Sequence, residues 1–345
     1  MFNKNKSYQK RKTRFRKVFI AAVIFLVLAF LFLVRKPAGL VGNADDIKWG
    51  VAFSKPFATE MSLDWRENYL AVLDGLKAKR IRLPIYWQDV EPEPGKYNFD
   101  DYDWMIEEAK KRNTQLVLVI GRKLPRWPEC HAPFWTDKLT EKEKQEKILA
   151  IMLKEVERYK DASNLYLWQV DNEPFLPFGE CTTSNADFLD REVATVRESD
   201  PNHKIMVTDS GELSIWVRAA SRADIFGTTM YRVIYSKRTG YFHYPLPPRF
   251  FWFKTNLVHL FNPGKPIVVS ELQAEPWGPK LIYDLSLEEQ AVSMDIKQFN
   301  ENIEYAREVG FPENYLWGAE WWYWMKTKQN RPEFWEAAKK VFGAD

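Results

Sequence analysis

Residues 164–174 read NLYLWQVDNEP, a short apolar stretch that ends in the polar sequence Asp171-Asn172-Glu173-Pro174. A second stretch, residues 266–271, reads PIVVSE and ends in Glu271. Runs of about 4–8 apolar residues bounded by polar or turn residues indicate buried strands. We therefore expect each of these two glutamates to lie where a buried strand ends.

Six further apolar runs extend the pattern, and amphipathic helical stretches lie between them. The eight runs are Ile47–Phe53, Arg80–Tyr86, Gln115–Gly121, Asn164–Val170, Lys204–Thr208, Asp224–Tyr231, Pro266–Ser270 and Tyr315–Tyr323. Eight strands alternating with helices over about 300 residues predict an α/β fold, a (β/α)8 TIM barrel spanning 45–345. An open doubly wound sheet is the alternative, but the first run is followed by no glycine-rich phosphate loop.

Helix boundaries and one long connection are also visible in the sequence. Thr140 and Glu143 have the spacing of a capping box, and Gly310 stands where a helix C-cap glycine is expected. The passage 232–265, between the sixth and seventh runs, is long. It predicts either a loop that shapes the site or a helix packed on the barrel.

The amino-terminal segment differs from the rest of the chain. Residues 1–17 carry eight cations and no acid, Val18–Val34 is apolar throughout, and Arg35 and Lys36 follow. A helix of about 17–25 apolar residues spans a bilayer, and cations mark its cytoplasmic side. We predict a cytoplasmic tail (1–17), a single transmembrane helix (18–34), a linker (35–44) and an extracytoplasmic domain (45–345). A cleaved signal peptide, with a site near Gly42 and Ala44, is the alternative.

The net charge of +3 comes from two unlike parts of the chain. Residues 1–44 hold ten cations and no acids, so the remainder has a net charge of −7. An acidic domain excludes a nucleic-acid-binding surface. The four histidines have no metal-ligand spacing, and no cofactor motif is present.

The only two cysteines, Cys130 and Cys181, follow the third and fourth apolar runs. Adjacent barrel strands place these two loops side by side, and an exported domain experiences oxidising conditions. We predict a Cys130–Cys181 disulfide beside the mouth of the barrel, with two free thiols as the alternative.

In a barrel of this kind, functional groups lie at the carboxyl ends of the strands. Glu173 and Glu271 would then meet at the same mouth. Two carboxyl groups that flank one bond suit glycoside hydrolysis, because one donates a proton to the leaving oxygen and the other attacks the anomeric carbon. The alternative is that both glutamates cap helices or pair with surface cations.

Asn172-Glu173-Pro174 after the fourth run, with Glu271 after the seventh, resembles the clan of retaining (β/α)8 glycoside hydrolases. That clan includes the cellulase, β-mannanase and β-galactosidase families. The resemblance implies that Glu173 is the acid/base, that Glu271 is the nucleophile and that Asn172 binds the sugar 2-hydroxyl. It also implies a separation of about 5–5.5 Å between the two carboxyl groups.

The same resemblance implies roles for residues at other strand ends. Arg82 matches the arginine that supports the nucleophile, and Tyr231 matches the tyrosine that hydrogen-bonds to it. Strand eight of the clan carries a tryptophan beneath the reacting sugar, and here both Trp321 and Trp322 are candidates, because a one-residue shift in register exchanges their faces. The expected stacking residues are Trp87, Trp277 and Trp322.

These features predict a membrane-anchored retaining glycoside hydrolase that acts on an extracytoplasmic oligo- or polysaccharide. Asp171, Glu275 and Glu320 are rival acids, but none is both strand-terminal and in a matching motif. Two other functions stay open: a transglycosidase that uses the same pair of glutamates, and an inactive carbohydrate-binding protein displayed on the membrane.

Overall fold

A computed structural model describes residues 16, 18–24, 27, 30–181 and 185–344. Eight parallel strands close into a barrel in the order β1-β8-β7-β6-β5-β4-β3-β2, which confirms the predicted fold. The strands are β1 (Lys48–Ala52), β2 (Arg80–Pro84), β3 (Gln115–Ile120), β4 (Leu165–Val170), β5 (Lys204–Asp209), β6 (Ile225–Met230), β7 (Ile267–Gln273) and β8 (Glu313–Trp317).

The strands are nearly continuous apolar runs because they are covered on both faces. One small cluster fills the inside of the barrel: Val117, Leu167, Met206, Ile225, Val268 and Tyr315. The larger core lies between the strands and the surrounding helices. A barrel interior filled in this way leaves the carboxyl ends of the strands as the open face where a site is formed.

The helices surround the barrel and connect its strands. The α-helices are Lys55–Glu60, Trp65–Leu70, Trp87–Val90, Asp100–Lys111, Glu141–Tyr159, Ala186–Ser199, Val217–Ala220, Pro248–Phe261, Leu287–Ser293, Ile296–Val309, Ala319–Lys328 and Glu333–Phe342. From residue 44 onward, the described residues also form one π-helical turn, Ala71–Gly75, and three 3-10 turns, Ala44–Asp46, Phe134–Lys138 and Ile282–Asp284.

Two predicted helix boundaries are confirmed. The Thr140 hydroxyl accepts from the Glu143 N–H at 3.3 Å, and the Glu143 carboxylate accepts from the Thr140 N–H at 2.8 Å. Gly310 ends helix Ile296–Val309 with a φ of 81°, a conformation that favours glycine. The passage 232–265 forms the helix Pro248–Phe261, preceded by a hairpin of Val233–Ser236 and Gly240–His243 that the sequence did not predict.

The eighth apolar run is not one strand, and this prediction was wrong. β8 ends at Trp317, Gly318 turns the chain, and Trp321, Trp322 and Tyr323 lie in helix Ala319–Lys328. Gly318 has a φ of 140°, and an added Cβ there would lie 2.8 Å from the Cβ of Glu275. Only glycine fits this turn, and a short apolar run does not by itself distinguish a strand from a buried helix.

The predicted transmembrane segment is described only in part, because positions 25, 26, 28 and 29 and most of the basic tail lie outside the described residues. Among the residues that are described, no helix combines the length and the apolar character needed to cross a bilayer. The linker and the last residues of the preceding apolar segment contact two helices that surround the barrel. The Asn256 side-chain amide donates to the carbonyls of Leu33 and Arg35, both at 2.8 Å, and the Val41 N–H donates to the Gly310 carbonyl.

Candidate active site

Arg82, on β2, lies at the centre of the candidate site. Its side chain is fully buried, and each of its three nitrogens donates to a different partner. Nη1 reaches Glu271 Oε1 at 2.7 Å and Nη2 reaches Asn172 Oδ1 at 2.9 Å. Nε reaches Gln169 Oε1 at 2.7 Å. A buried planar guanidinium of this kind sets the relative positions of groups on β4 and β7.

Glu271 lies inside β7, two residues before its end, rather than directly after it as predicted. Its Oε1 accepts from Arg82, and its Oε2 accepts from the Tyr231 hydroxyl at 3.0 Å. Tyr231 directly follows β6, and burial together with the charge of Glu271 raises the pKa of its phenol. A carboxylate that accepts from a guanidinium on one oxygen and from a phenol on the other is held in one position by two hydrogen bonds.

Glu173 occupies a different environment three residues after the end of β4. Its N–H donates to the Thr208 hydroxyl at 2.9 Å, and the Thr229 hydroxyl donates to its Oε1 at 3.2 Å. Burial first, then the charges of Glu129 and Glu271, raise the pKa of the Glu173 carboxyl well above its ordinary value. Burial and the neighbouring carboxylates therefore favour the protonated form of Glu173.

Asn172 connects the two glutamates through its side chain. Its Oδ1 accepts from Arg82 and, at 3.3 Å, from the Thr208 hydroxyl. Its Nδ2 is buried, and none of the described residues accepts a hydrogen bond from it. A buried amide N–H without an acceptor is costly unless a ligand or a water molecule satisfies it.

Of the four tryptophans predicted to bind substrate, only Trp277 is partly exposed. Its ring meets the Tyr231 ring edge-on at 5.2 Å between centroids, which places it on the wall of the site. Trp87 is fully buried and donates to Glu91, so the prediction that it stacks on a sugar was wrong.

Trp321 and Trp322 must be corrected in the same way. Both side chains are fully buried, and their N–H groups donate to Gln290 and to the Ala274 carbonyl. The tryptophan that ends β8 is Trp317, which the sequence analysis did not single out. A signal was present, since Trp317 immediately precedes the only glycine of the eighth apolar run.

The rival acids Glu275 and Glu320 serve a buried ion cluster. Arg126 donates to both carboxylates, and its guanidinium lies 3.9 Å from the centroid of the Trp317 ring. The remaining rival, Asp171, accepts from the N–H groups of Arg122 and Lys123. All three acids therefore have structural partners in the loops around the mouth.

The loop after β3 is joined covalently to the loop after β4. Cys130 and Cys181 form a disulfide with their Cα atoms 4.9 Å apart. Two further residues of the β3 loop, Lys123 and Glu129, lie beside Glu173, and sequence reasoning missed both. Neither ends a strand nor belongs to a recognised motif, so no sequence signal distinguished them.

A model of the cellulase family, glycosyl hydrolase family 5, matches residues 52–245, which is more than half of the chain. The chain belongs to this family. The matched region includes Arg82, Asn172, Glu173 and Tyr231 and ends before Glu271. Membership confirms the predicted resemblance to the (β/α)8 glycoside hydrolase clan.

Solved glycosidase structures share the barrel. An exo-β-1,4-mannosidase from Opitutaceae bacterium strain TAV5 has a TM-score of 0.56 at 17% identity, with 81% of this chain and 53% of that chain covered. A β-galactosidase from Halorubrum lacusprofundi has a TM-score of 0.52 at 15% identity, with 79% and 52% covered. The chain spans about half the length of these structures, and at such identities the likeness shows the fold alone.

Proposed function

We propose that this family member is a retaining glycoside hydrolase in which Glu271 is the nucleophile and Glu173 the acid/base. The observation that carries the proposal is the contrast between the two carboxyl groups. Glu271 accepts hydrogen bonds from Arg82 and Tyr231, whereas Glu173 is buried near other carboxylates. One group is thereby ready to attack and the other to donate a proton.

In the first step, a Glu271 oxygen forms a bond to the anomeric carbon as the bond from that carbon to the leaving oxygen breaks. Glu173 gives its proton to the leaving oxygen, so the aglycone departs as a neutral alcohol. The Asn172 Nδ2, for which the described residues offer no acceptor, would donate a hydrogen bond to the sugar 2-hydroxyl. That interaction strengthens as the transition state develops.

In the second step, Glu173 acts as the base. It takes a proton from water, the water oxygen bonds to the anomeric carbon, and the carboxylate of Glu271 is released. Two displacements at one carbon return the product to the configuration of the substrate.

Aromatic side chains complete the sugar site in this proposal. Trp317, at the end of β8, takes the place beneath the reacting sugar that the sequence analysis gave to Trp321 or Trp322. Its ring is held by Arg126, which keeps the platform in one orientation. Trp277, beside Tyr231, forms an adjoining wall.

We further propose that residues 18–34 anchor the enzyme in the cell membrane, with 1–17 in the cytoplasm and 45–345 outside. The charge asymmetry of the sequence supports this orientation. The linker contacts Gly310, just before β8, and so meets the barrel at the amino ends of its strands. The catalytic mouth at the opposite end would face away from the membrane, toward an extracytoplasmic oligo- or polysaccharide.

The test is a substrate screen of the full-length protein in detergent micelles against aryl glycosides and polysaccharides. The double variant Glu173→Gln/Glu271→Gln serves as the blank. We expect turnover of at least one β-glycoside by the wild type and none by the blank. Equal rates for the two proteins, or no turnover of any substrate alongside sugar binding, would contradict the proposal. Added acceptor sugar then separates hydrolysis from transglycosylation.

A further inference from the structure

The turn that carries Glu173 has an unusual backbone. Asp171 and Glu173 have φ values of 52° and 43°, in the left-handed region that non-glycine residues seldom occupy. Such residues are strained and persist only where the surroundings hold them in place. Something outside the turn must therefore stabilise it.

Lys123, from the β3 loop, supplies that support at four points. Its Nζ donates to the carbonyls of Glu173 at 2.9 Å and Leu176 at 2.6 Å. The backbone N–H of Lys123 donates to Asp171 Oδ1 at 3.2 Å, and its backbone carbonyl accepts from the Asn172 N–H. Lys123 is 1% exposed, so this ammonium group lies inside the protein.

Glu129 is the acid that pairs with this buried ammonium group, and burial, opposed by the charge of Lys123, raises the pKa of its carboxyl to about 8. Glu129 Oε2 lies 3.8 Å from Lys123 Nζ, and it accepts no hydrogen bond from any residue that the structure describes. The Glu129 carbonyl accepts from the Leu124 N–H, and its neighbour Cys130 is tied to the β4 loop by the disulfide. The ion pair is therefore held beside the Glu173 turn.

We propose that Lys123 and Glu129 form a positioning pair for Glu173. Lys123 fixes the backbone from which the Glu173 carboxyl projects, and the opposed charges of the pair set how firmly that carboxyl holds its proton. The inference rests on the proposed acid/base role of Glu173 and adds the residues that prepare it for that role.

Four charged groups act on Glu173: Glu129 and Lys123 from the β3 loop, Glu271 from β7 and Asp209 from the end of β5. β6 contributes the neutral Thr229 hydroxyl. The ionised form of Glu129 raises the pKa of Glu173, and the positive charge of Lys123 lowers it. Because turnover needs protonated Glu173, activity is lost as pH rises through that pKa.

The experiment compares pH–rate profiles of the full-length wild type, Glu129→Gln, Lys123→Met and the double variant on one aryl glycoside. Removing Glu129 should move the alkaline limb of the profile to lower pH where that limb lies above about pH 8, because Glu129 is ionised there. Removing Lys123 should move the limb to higher pH, and each shift should be about 1–2 pH units. The double variant replaces the pair with neutral groups, so its limb should return toward the wild-type position. Its kcat should stay reduced because the turn has lost its support.

The matched controls are Glu180→Gln in the β4 loop and Lys138→Met in the β3 loop. Both positions are exposed, so these substitutions should leave the pH–rate profile unchanged. If Lys123→Met does not fold, Glu129→Gln and the double variant still decide the outcome. Loss of activity without movement of the limb, or movement of both single variants in the same direction, would overturn the inference. A Glu173→Gln enzyme that cleaves a glycoside with a poor leaving group at the wild-type rate would instead overturn the proposed function, so the two failures are distinguishable.

Discussion

On the β7 side of the candidate site, Glu271 accepts hydrogen bonds from a buried guanidinium and a phenol. On the β4 side, Glu173 has Glu129, Glu271 and Asp209 as charged neighbours, with Lys123 as the opposing cation. Both glutamates are almost equally buried, at 5% and 6% exposure. Burial therefore does not distinguish them. Their neighbours on adjacent strands and loops do, and under the proposed mechanism these neighbours assign attack to one glutamate and proton transfer to the other.

The largest effect is expected from Glu271→Gln, which leaves Arg82 and Tyr231 in place but removes the attacking oxygen. We expect kcat on an aryl glycoside to fall by about 10⁴-fold or more, the order seen when a residue of a concerted catalytic set is lost. An unchanged melting temperature would show that the fold is intact. Turnover within about tenfold of the wild type would remove Glu271 from the nucleophile role.

Glu173→Gln should behave differently, because its effect depends on the leaving group. Aglycones that leave poorly need the proton from Glu173, so their hydrolysis should fall by about 10²–10⁴-fold. Formation of the glycosyl-enzyme from a dinitrophenyl glycoside should change little, since that aglycone leaves without protonation. The measurement is the burst phase on both substrates, and an equal loss in both bursts would contradict the assignment of Glu173.

Tyr231→Phe sharpens the β7 side of the comparison by removing one donor to Glu271. A hydrogen bond to a charged group contributes about 1.5–3 kcal/mol, which corresponds to about 10- to 100-fold in kcat. Tyr241→Phe is the matched control, because the Tyr241 hydroxyl donates to Glu289 rather than to either candidate catalytic glutamate. Equal effects from the two substitutions would indicate that Tyr231 acts only through stability.

Trp317→Phe and Trp322→Phe should separate the substrate platform from the core. We expect the first to lower kcat/KM by a few fold, because the ring that would lie under the sugar becomes smaller. The second loses the hydrogen bond to the Ala274 carbonyl and should lower the free energy of unfolding by about 1 kcal/mol or more. Kinetics and thermal melts on both variants test this, and the reverse pattern would restore Trp322 as the stacking residue.

The smallest effect on activity is expected from removing the disulfide by Cys130→Ser/Cys181→Ser. The bridge spans 51 residues, and a loop of that length corresponds to about 4 kcal/mol in the chain-entropy account. We expect lower stability in urea and a modest loss of kcat, since Lys123 and the disulfide both hold the β3 loop against the Glu173 turn. Unchanged unfolding midpoints would show that the two loops stay together without the bond.

The barrel and the principal carboxyl pair were predictable because both follow from short-range patterns. A polar residue at or near the end of a buried strand faces the mouth wherever the strand order places it, and Arg82, Glu173, Tyr231 and Glu271 all have this position. The error in the end of the strand was small, because β7 continues for three residues beyond the predicted end. It did not move Glu271 from the mouth.

The remaining parts of the site depend on loop conformation, which local patterns do not specify. Trp87 follows β2 but lies in a short helix that turns its ring inward toward Glu91. Trp317 was not recognised as the end of β8 because apolar residues continue past Gly318 into a helix. Lys123 and Glu129 lie beside Glu173 because of the conformation of the β3 loop, in which Arg126 and Glu129 have positive φ values. The sequence of charges along the chain does not predict that conformation.

The most direct test of the two-glutamate account is the configuration of the first product. The full-length enzyme is mixed with an aryl β-glycoside that it cleaves, and the anomeric protons are followed by NMR before mutarotation. Double displacement through Glu271 predicts that the β-anomer appears first and converts slowly to the equilibrium mixture. Initial release of the α-anomer would mean a single displacement by water, and it would contradict the assignment of Glu271 as a nucleophile.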